Sequence, residues 1–447
     1  MKKTLPIATA LIAVAALALG VKRLDAMARV GDGYLAKIAC SEVFVAGRDG
    51  ETVLSEDFND ISPLFDFVGA TIDHETKSVS AKLWGLGAAT ASYRPDYGCT
   101  LHINGAPDAL PPIERPAVFA APIATYDDED VKSAVAKILV EEMANGAANH
   151  RSLLVLANGR LVAEAYADGF DANTPFLSWS MAKSVTATMV GAAVQQGLID
   201  IHDRAPVELW AHDDRAAITW HDLLQMQSGL SFEEDYADPL SDVNEMLFAS
   251  RDAGMAAASA PLAHAPGTFW SYSSGTTNLI QRTLRHALES RGVNYHSFAY
   301  DTVFAPIGAA SFIIEPDPSG TFVGSSFVYA TARDWARLGE LYANDGVWNG
   351  TRLLPEGWAD YVATPAAASD RFYGAQFWLN YDGADGRERY MPDLPQTTYL
   401  MAGHEGQYVA IAPEKNIILV RTGMTRGREP MPEIAPVFAK IYAAFDQ

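Results

Sequence analysis

The chain has 447 residues, 49% hydrophobic and 10% aromatic, which is too apolar for a disordered protein and too long for one small core. It carries 33 Lys and Arg against 55 Asp and Glu, a formal net charge of -22, which argues against a broad face for nucleic acid or anionic lipid. One large catalytic unit with an appended module fits these figures.

Met1-Lys2-Lys3 followed by the apolar run Thr4 to Gly20 has the charge-then-apolar order of an export signal. The run is long for a signal's apolar region and short for a membrane span. Ala26-Met27-Ala28 supplies a small-x-small cleavage site. Residues 1–28 therefore read as a signal peptide or an N-terminal membrane anchor. The expected location is periplasmic or secreted, with attachment to the inner membrane if the segment is retained. In an oxidising compartment the only two cysteines, Cys40 and Cys99, are expected to form a disulfide. The stretch between them reads as strands and turns, with Gly47-Arg48-Asp49-Gly50 as the clearest turn. Residues 29–105 read as an accessory module. Residues 106–126, with Pro107, Pro111, Pro112, Pro116 and Pro122, read as a connector.

Residues 127–447 have the size of a catalytic domain. Asp127-Asp128-Glu129-Asp130 opens a helical pattern that ends near Gly146, acids first and glycine last. Apolar runs on either side of Asn158-Gly159 predict a hairpin. A helix is then predicted from Phe176 to Gly197, containing Ser180 and Lys183. Their i, i+3 spacing puts hydroxyl and amine on one face, within reach of each other. Lys183 is the only lysine between residues 138 and 414, a span that otherwise uses arginine. Burial and the positive end of the helix dipole both disfavour its charged form, which fits it to act as a base for Ser180.

From about 200 to 300 the pattern is helical or irregular, an all-helical subdomain. Within it, Trp270-Ser271-Tyr272-Ser273-Ser274 forms a loop leading into a helix, and Tyr272 beside Lys183 would lose its proton more easily and serve as base and acid. The loop after Ser228-Gly229-Leu230 offers Tyr236, Asp238 and Asp242 as pocket residues. Strands are predicted at Tyr373–Asn380, Tyr399–Ala402, Gln407–Ala412 and Asn416–Arg421, with a final helix at Ile434–Phe445. Together with the front hairpin they suggest one antiparallel sheet built from both ends of the unit and flanked by helices, an α+β arrangement. At the start of one strand, Gly403-His404-Glu405-Gly406-Gln407 offers backbone N–H groups near Gly406 and Gln407 for an oxyanion hole and His404 for substrate contact.

With these stations in order, the chain from about residue 130 onward resembles the serine β-lactamase-like superfamily. It is most similar to the branch of class C β-lactamases, family VIII esterases, D-aminopeptidase-type enzymes and 6-aminohexanoate-dimer hydrolases. Ser180-Met181-Ala182-Lys183 matches the S-x-x-K nucleophile motif. Tyr272-Ser273-Ser274 falls where the family has Tyr-x-Asn, and His404 to Gln407 where it has Lys-Thr-Gly. The resemblance implies a β-lactamase/transpeptidase-like fold and a serine hydrolase with no metal or organic cofactor. Ser274 replaces the asparagine that would hold a β-lactam side chain, and the third motif has no lysine. Both departures favour small esters or linear amides as substrates over β-lactams or D-Ala peptides. Nothing in the sequence sets the oligomeric state.

Overall fold

The structure is a computed structural model describing residues 5–59, 61, 67–83, 86–113 and 122–446. Residues 1–4 and the side chains of residues 5–19, which carry most of the expected export signal, lie outside this description, as do residues 114–121 of the connector. Among the described residues no helix is long and apolar enough to cross a membrane.

The catalytic unit is built on a six-stranded sheet in the order β12-β13-β14-β15-β5-β6, antiparallel throughout. Strands β5 (His150–Ala157) and β6 (Arg160–Tyr166) are the front hairpin, closed by Asn158 and Gly159 at φ 51° and 71°. Strands β12 (Trp378–Leu379), β13 (Tyr399–Gly403), β14 (Gln407–Ala412) and β15 (Ile417–Gly423) come from the end of the chain, and β15 pairs with β5. Alternate residues feed two cores. Leu153, Val155 and Leu419 face Val135, Leu139, Ile434 and Phe438 of helices Glu129–Met143 and Met431–Ala443. Leu154, Leu156 and Val420 face the larger core with helices Ala182–Gln195 and Ala332–Ala343. The sheet is thus buried on both faces, the layered α+β plan expected from the sequence.

Three local differences from the sequence reading have physical causes. The strand expected over Tyr373–Asn380 shortens to β12 because Gln376 is left-handed at φ 64°. Its side chain reaches away to the Leu224 carbonyl oxygen, 2.9 Å, and to Thr277 Oγ1, 2.7 Å. The helix expected from Phe176 starts only at Ala182. Phe176–Leu177 instead forms β7, which pairs with β9 (Val328–Ala330) in a three-stranded sheet completed by β8 (Ile313–Ile314). A two-stranded hairpin, β10 (Val347–Trp348) and β11 (Thr351–Arg352), lies apart from both sheets. The Gly47–Gly50 turn leads into a short helix, Gly50–Glu56, capped by the Asp49 carboxylate accepting from Thr52 N.

The amino-terminal region is a helix, Leu5–Phe44, packed on the antiparallel meander of β1 (Val68–Asp73), β2 (Ser78–Leu83), β3 (Leu86–Arg94) and β4 (Gly98–Leu101). Cys40 and Cys99 are disulfide-bonded with Cα atoms 6.0 Å apart, joining the helix to β4. The module shares a core with the catalytic unit: Val30, Leu35, Ile38 and Val43 pack with Trp179, Met246, Phe248 and Phe327. Gly33 makes the close approach possible, because a Cβ there would fall 2.3 Å from the Phe248 carbonyl oxygen. Inside this interface Lys37 and Glu315 form a buried ion pair, and Glu315 also accepts from Ser41 Oγ at 2.8 Å and Cys99 N at 2.6 Å. Every polar atom of the pair is answered, as burial of charge requires.

The disulfide closes a loop of 59 residues. A Cys40→Ala/Cys99→Ala double variant should lose about 2–4 kcal/mol of unfolding free energy, measured by urea denaturation.

Candidate active site

Ser180 sits in a single 3-10 turn, Trp179–Met181, that runs straight into the buried helix Ala182–Gln195. Lys183, in the first turn of that helix, is 1% exposed, so its amine has exchanged water for three oxygens. Its Nζ lies 3.0 Å from Ser180 Oγ, 2.9 Å from Ser274 Oγ and 3.2 Å from the Ser325 carbonyl oxygen. The Tyr272 ring covers the remaining side, its centroid 4.7 Å from Nζ. Desolvation lowers the amine's pKa from 10.5 to about 8, against the opposing pull of the Glu234 carboxylate. That is roughly 3 kcal/mol against the ammonium form, enough to leave about a tenth of the lysine neutral at pH 7.

Glu234 is the residue the sequence reading missed. Its carboxylate accepts from Ser274 N at 2.7 Å and Ser274 Oγ at 2.5 Å, so Ser274 is held between acid and amine. Burial raises the Glu234 pKa, and the Lys183 charge opposes this. Nothing in the run Glu233-Glu234-Asp235 marks the middle acid as the one that faces the lysine. The Ser325 carbonyl was equally hidden. Its loop is held by Asn278, which accepts from Ser325 N at 3.2 Å and donates to Ser325 Oγ at 3.0 Å.

Tyr272 reaches the site from the loop before helix Ser274–Glu289, whose N-cap is Ser273 accepting from Thr276 N at 3.0 Å. Burial, and next the Glu234 charge, raise its pKa well above that of a free phenol, while its interaction with the Ser180 hydroxyl opposes this. The phenol is therefore held protonated, opposite in direction to what a neighbouring lysine alone suggests. Tyr272 also lies among Tyr373 and Trp378, with ring centroids 5.8 and 5.3 Å away. Trp270 and Tyr390 extend this aromatic wall from Trp378.

On the opposite side, the end of β13 runs against the Ser180 turn. A Cβ on Gly403 would lie 2.2 Å from the Ser178 carbonyl oxygen and 3.2 Å from Ser180 N, so only glycine lets the two backbones meet. His404 is exposed, stacked on Tyr236 at 5.4 Å and edge-on to Trp179 at 5.6 Å. Tyr236 is thus brought to the site. Burial raises its pKa, and its interactions with the Ser274 and Ser326 hydroxyls pull the other way. Gly406 has φ 87° and packs on the Arg421 guanidinium. The Gln407 side chain closes the base of β14 and β15, donating to the Gly423 carbonyl at 2.6 Å and accepting from Gly423 N at 3.1 Å. The Gln407 side-chain amide is therefore committed to the strand base. Asp238 and Asp242 close their own loop, accepting from Leu240 N at 2.9 Å and Glu233 N at 2.8 Å. Among the described residues no group of three or more His, Cys, Asp or Glu is arranged to hold a metal ion.

Trp179 has φ 45°, a left-handed conformation costing about 1–3 kcal/mol for a bulky residue. Its ring packs against Tyr34, Phe327 and His404 at 6.4, 6.4 and 5.6 Å. At about 0.5–1.5 kcal/mol per aromatic contact, three rings are enough to hold the strain.

The sequence profile of the Beta-lactamase family matches residues 135–440. The chain is 24% identical over 323 residues to the 6-aminohexanoate-dimer hydrolase of Paenarthrobacter ureafaciens, covering 68% of this chain and 79% of that one. A Bacillus anthracis structure provisionally named a 6-aminohexanoate-dimer hydrolase aligns with TM-score 0.58 and 19% identity, over 91% of this chain and 97% of the other. A penicillin-binding protein homologue from Caulobacter crescentus aligns with TM-score 0.53 and 17% identity, over 72% and 99%.

If Lys183 must be neutral to work, activity should rise with pH through an apparent pKa of about 8. Glu234→Gln removes a carboxylate that favours the charged amine, so the rising limb should move to lower pH. A kcat profile between pH 6 and 10 checks both statements.

Proposed function

Because the chain belongs to the Beta-lactamase family, we propose that it is an exported serine hydrolase that cleaves carboxylic esters or linear amides through an acyl-enzyme on Ser180. The observation that carries this reading is the buried Lys183 amine, 3.0 Å from Ser180 Oγ and with its pKa lowered to about 8. Neutral Lys183 takes the Ser180 proton as Oγ attacks the carbonyl carbon. The oxyanion is held by the Ser180 amide and backbone N–H of the facing β13–β14 turn, the reading supported by the close approach of Gly403. Protonated Tyr272 gives its proton to the departing alcohol or amine and regains one through the Ser180–Lys183 pair. Water then attacks the acyl-enzyme by the reverse proton path and releases the acid.

The substrate preference rests on two features. Ser274 is committed to Glu234 and Lys183, leaving no amide where the family holds a β-lactam side chain. In the third motif, His404 stands where a lysine is usual, and its ring stacks on Tyr236. The likeness to a 6-aminohexanoate-dimer hydrolase favours short amide oligomers among the candidates. Export is supported by the charged start and apolar run of the sequence and by the Cys40–Cys99 bond.

Purified protein with p-nitrophenyl acetate, p-nitrophenyl butyrate and nitrocefin, compared with Ser180→Ala, tests this. The expected result is ester turnover with acyl mass on the Ser180 peptide, a loss of about a thousandfold or more in Ser180→Ala, and little nitrocefin cleavage. Fast nitrocefin turnover would move the substrate class to β-lactams, and ester turnover that survives Ser180→Ala would remove the nucleophile.

A further inference from the structure

Tyr34 lies on the amino-terminal helix, outside residues 135–440 that the family profile matches. It nevertheless stacks on Trp179, the residue immediately before Ser180, at 6.4 Å and with ring planes 14° apart. We propose that the amino-terminal helix and sheet are a positioning part of the active site. In this role Tyr34 holds Trp179 in its left-handed conformation and so keeps the Ser180 hydroxyl within proton-transfer reach of Lys183. The proposal rests on Ser180 being the nucleophile.

Three observations carry it. First, Trp179 has φ 45°, a conformation that a bulky residue keeps only where its surroundings fix it. Among the described residues, the rings around it are Phe327 and His404 of the catalytic unit and Tyr34 of the module. Second, Tyr34 cannot follow the tryptophan if it moves. Phe58 and Phe248 meet its ring edge-on at 5.9 and 5.1 Å, and neighbouring Gly33 fixes the helix backbone against the Phe248 carbonyl. Third, the module also reaches the other side of Ser180. Arg426 donates from Nη1 to the Asn59 carbonyl at 2.9 Å and from Nη2 to the Asp57 carbonyl at 2.8 Å, while its Nε pairs with Glu405 beside His404. The module therefore touches both chain segments that flank the nucleophile. Without the Tyr34 ring Trp179 can relax, and Ser180 Oγ leaves its 3.0 Å contact with Lys183 Nζ. A displacement near 1 Å is costly when two groups must exchange a proton.

The test uses the full chain and p-nitrophenyl butyrate, with active sites titrated by a fluorophosphonate so that rates are counted per competent serine. Tyr34→Leu, and Tyr34→Met as the alternative should the first not fold, are expected to lose about tenfold or more in kcat per titrated site. KM should stay within about threefold, and Tyr34→Phe, which keeps the ring, should restore kcat to within about threefold of wild type. If the ringless variants lose thermal stability or titratable sites while each remaining site turns over at the wild-type rate, Tyr34 is merely structural and the proposal falls. A wild-type protein that is not phosphonylated at Ser180 would instead overturn the nucleophile reading, and this proposal with it.

Discussion

A lysine deprived of water is the constraint on which the site depends. Lys183 enters a helix whose next ten residues are buried, so its amine has no route to solvent and must be solvated by the protein. Ser180, Ser274 and the Ser325 carbonyl supply that solvation from three separate segments, and Tyr272 supplies a ring face. The desolvation that leaves part of the amine neutral, and so able to accept a proton, is the same desolvation that forces these segments to converge. Glu234 limits the effect. One carboxylate behind Ser274 keeps part of the population charged, and without it the amine would be a weaker base.

The amino-terminal module is continuous with this arrangement. Its helix is joined to its own sheet by the disulfide and to the catalytic unit by the buried Lys37–Glu315 pair and a shared apolar core. Removing either ion of such a pair leaves an uncompensated buried charge, so the pair is a demanding link that fixes how the two parts meet. The arrangement places an aromatic cluster directly behind the Ser180 turn, where Trp179 is left-handed at φ 45°.

The departures from the family motifs acquire a physical meaning in this frame. Ser274 is short, and its hydroxyl fills the space between Glu234 and Lys183. Arg421-Thr422-Gly423, a Lys-Thr-Gly look-alike in letters, has its cation turned to other partners. The Arg421 guanidinium is fully buried and donates to the carbonyls of Glu405, Gly406 and Ala148, at 2.8, 2.6 and 2.6 Å. It shapes the turn that carries His404.

Local pattern along the chain was enough for the Ser180–Lys183 pair at one-turn spacing, the Asn158-Gly159 hairpin, the strands expected at Gln407–Ala412 and Asn416–Arg421, and the cysteine pair. These depend on residue type and on periods of two or 3.6, which are visible along a chain. The tertiary structure decided the rest. Glu234 is one of three consecutive acidic residues, Ser325 contributes only a backbone carbonyl, and Gly403 matters through the space it leaves empty. The helix that carries Lys183 is preceded by a left-handed Trp179 whose ring neighbours lie at Tyr34, Phe327 and His404. Contacts between residues forty or more positions apart leave no mark on local spacing, because the three-dimensional packing that joins them is written in no single stretch of sequence.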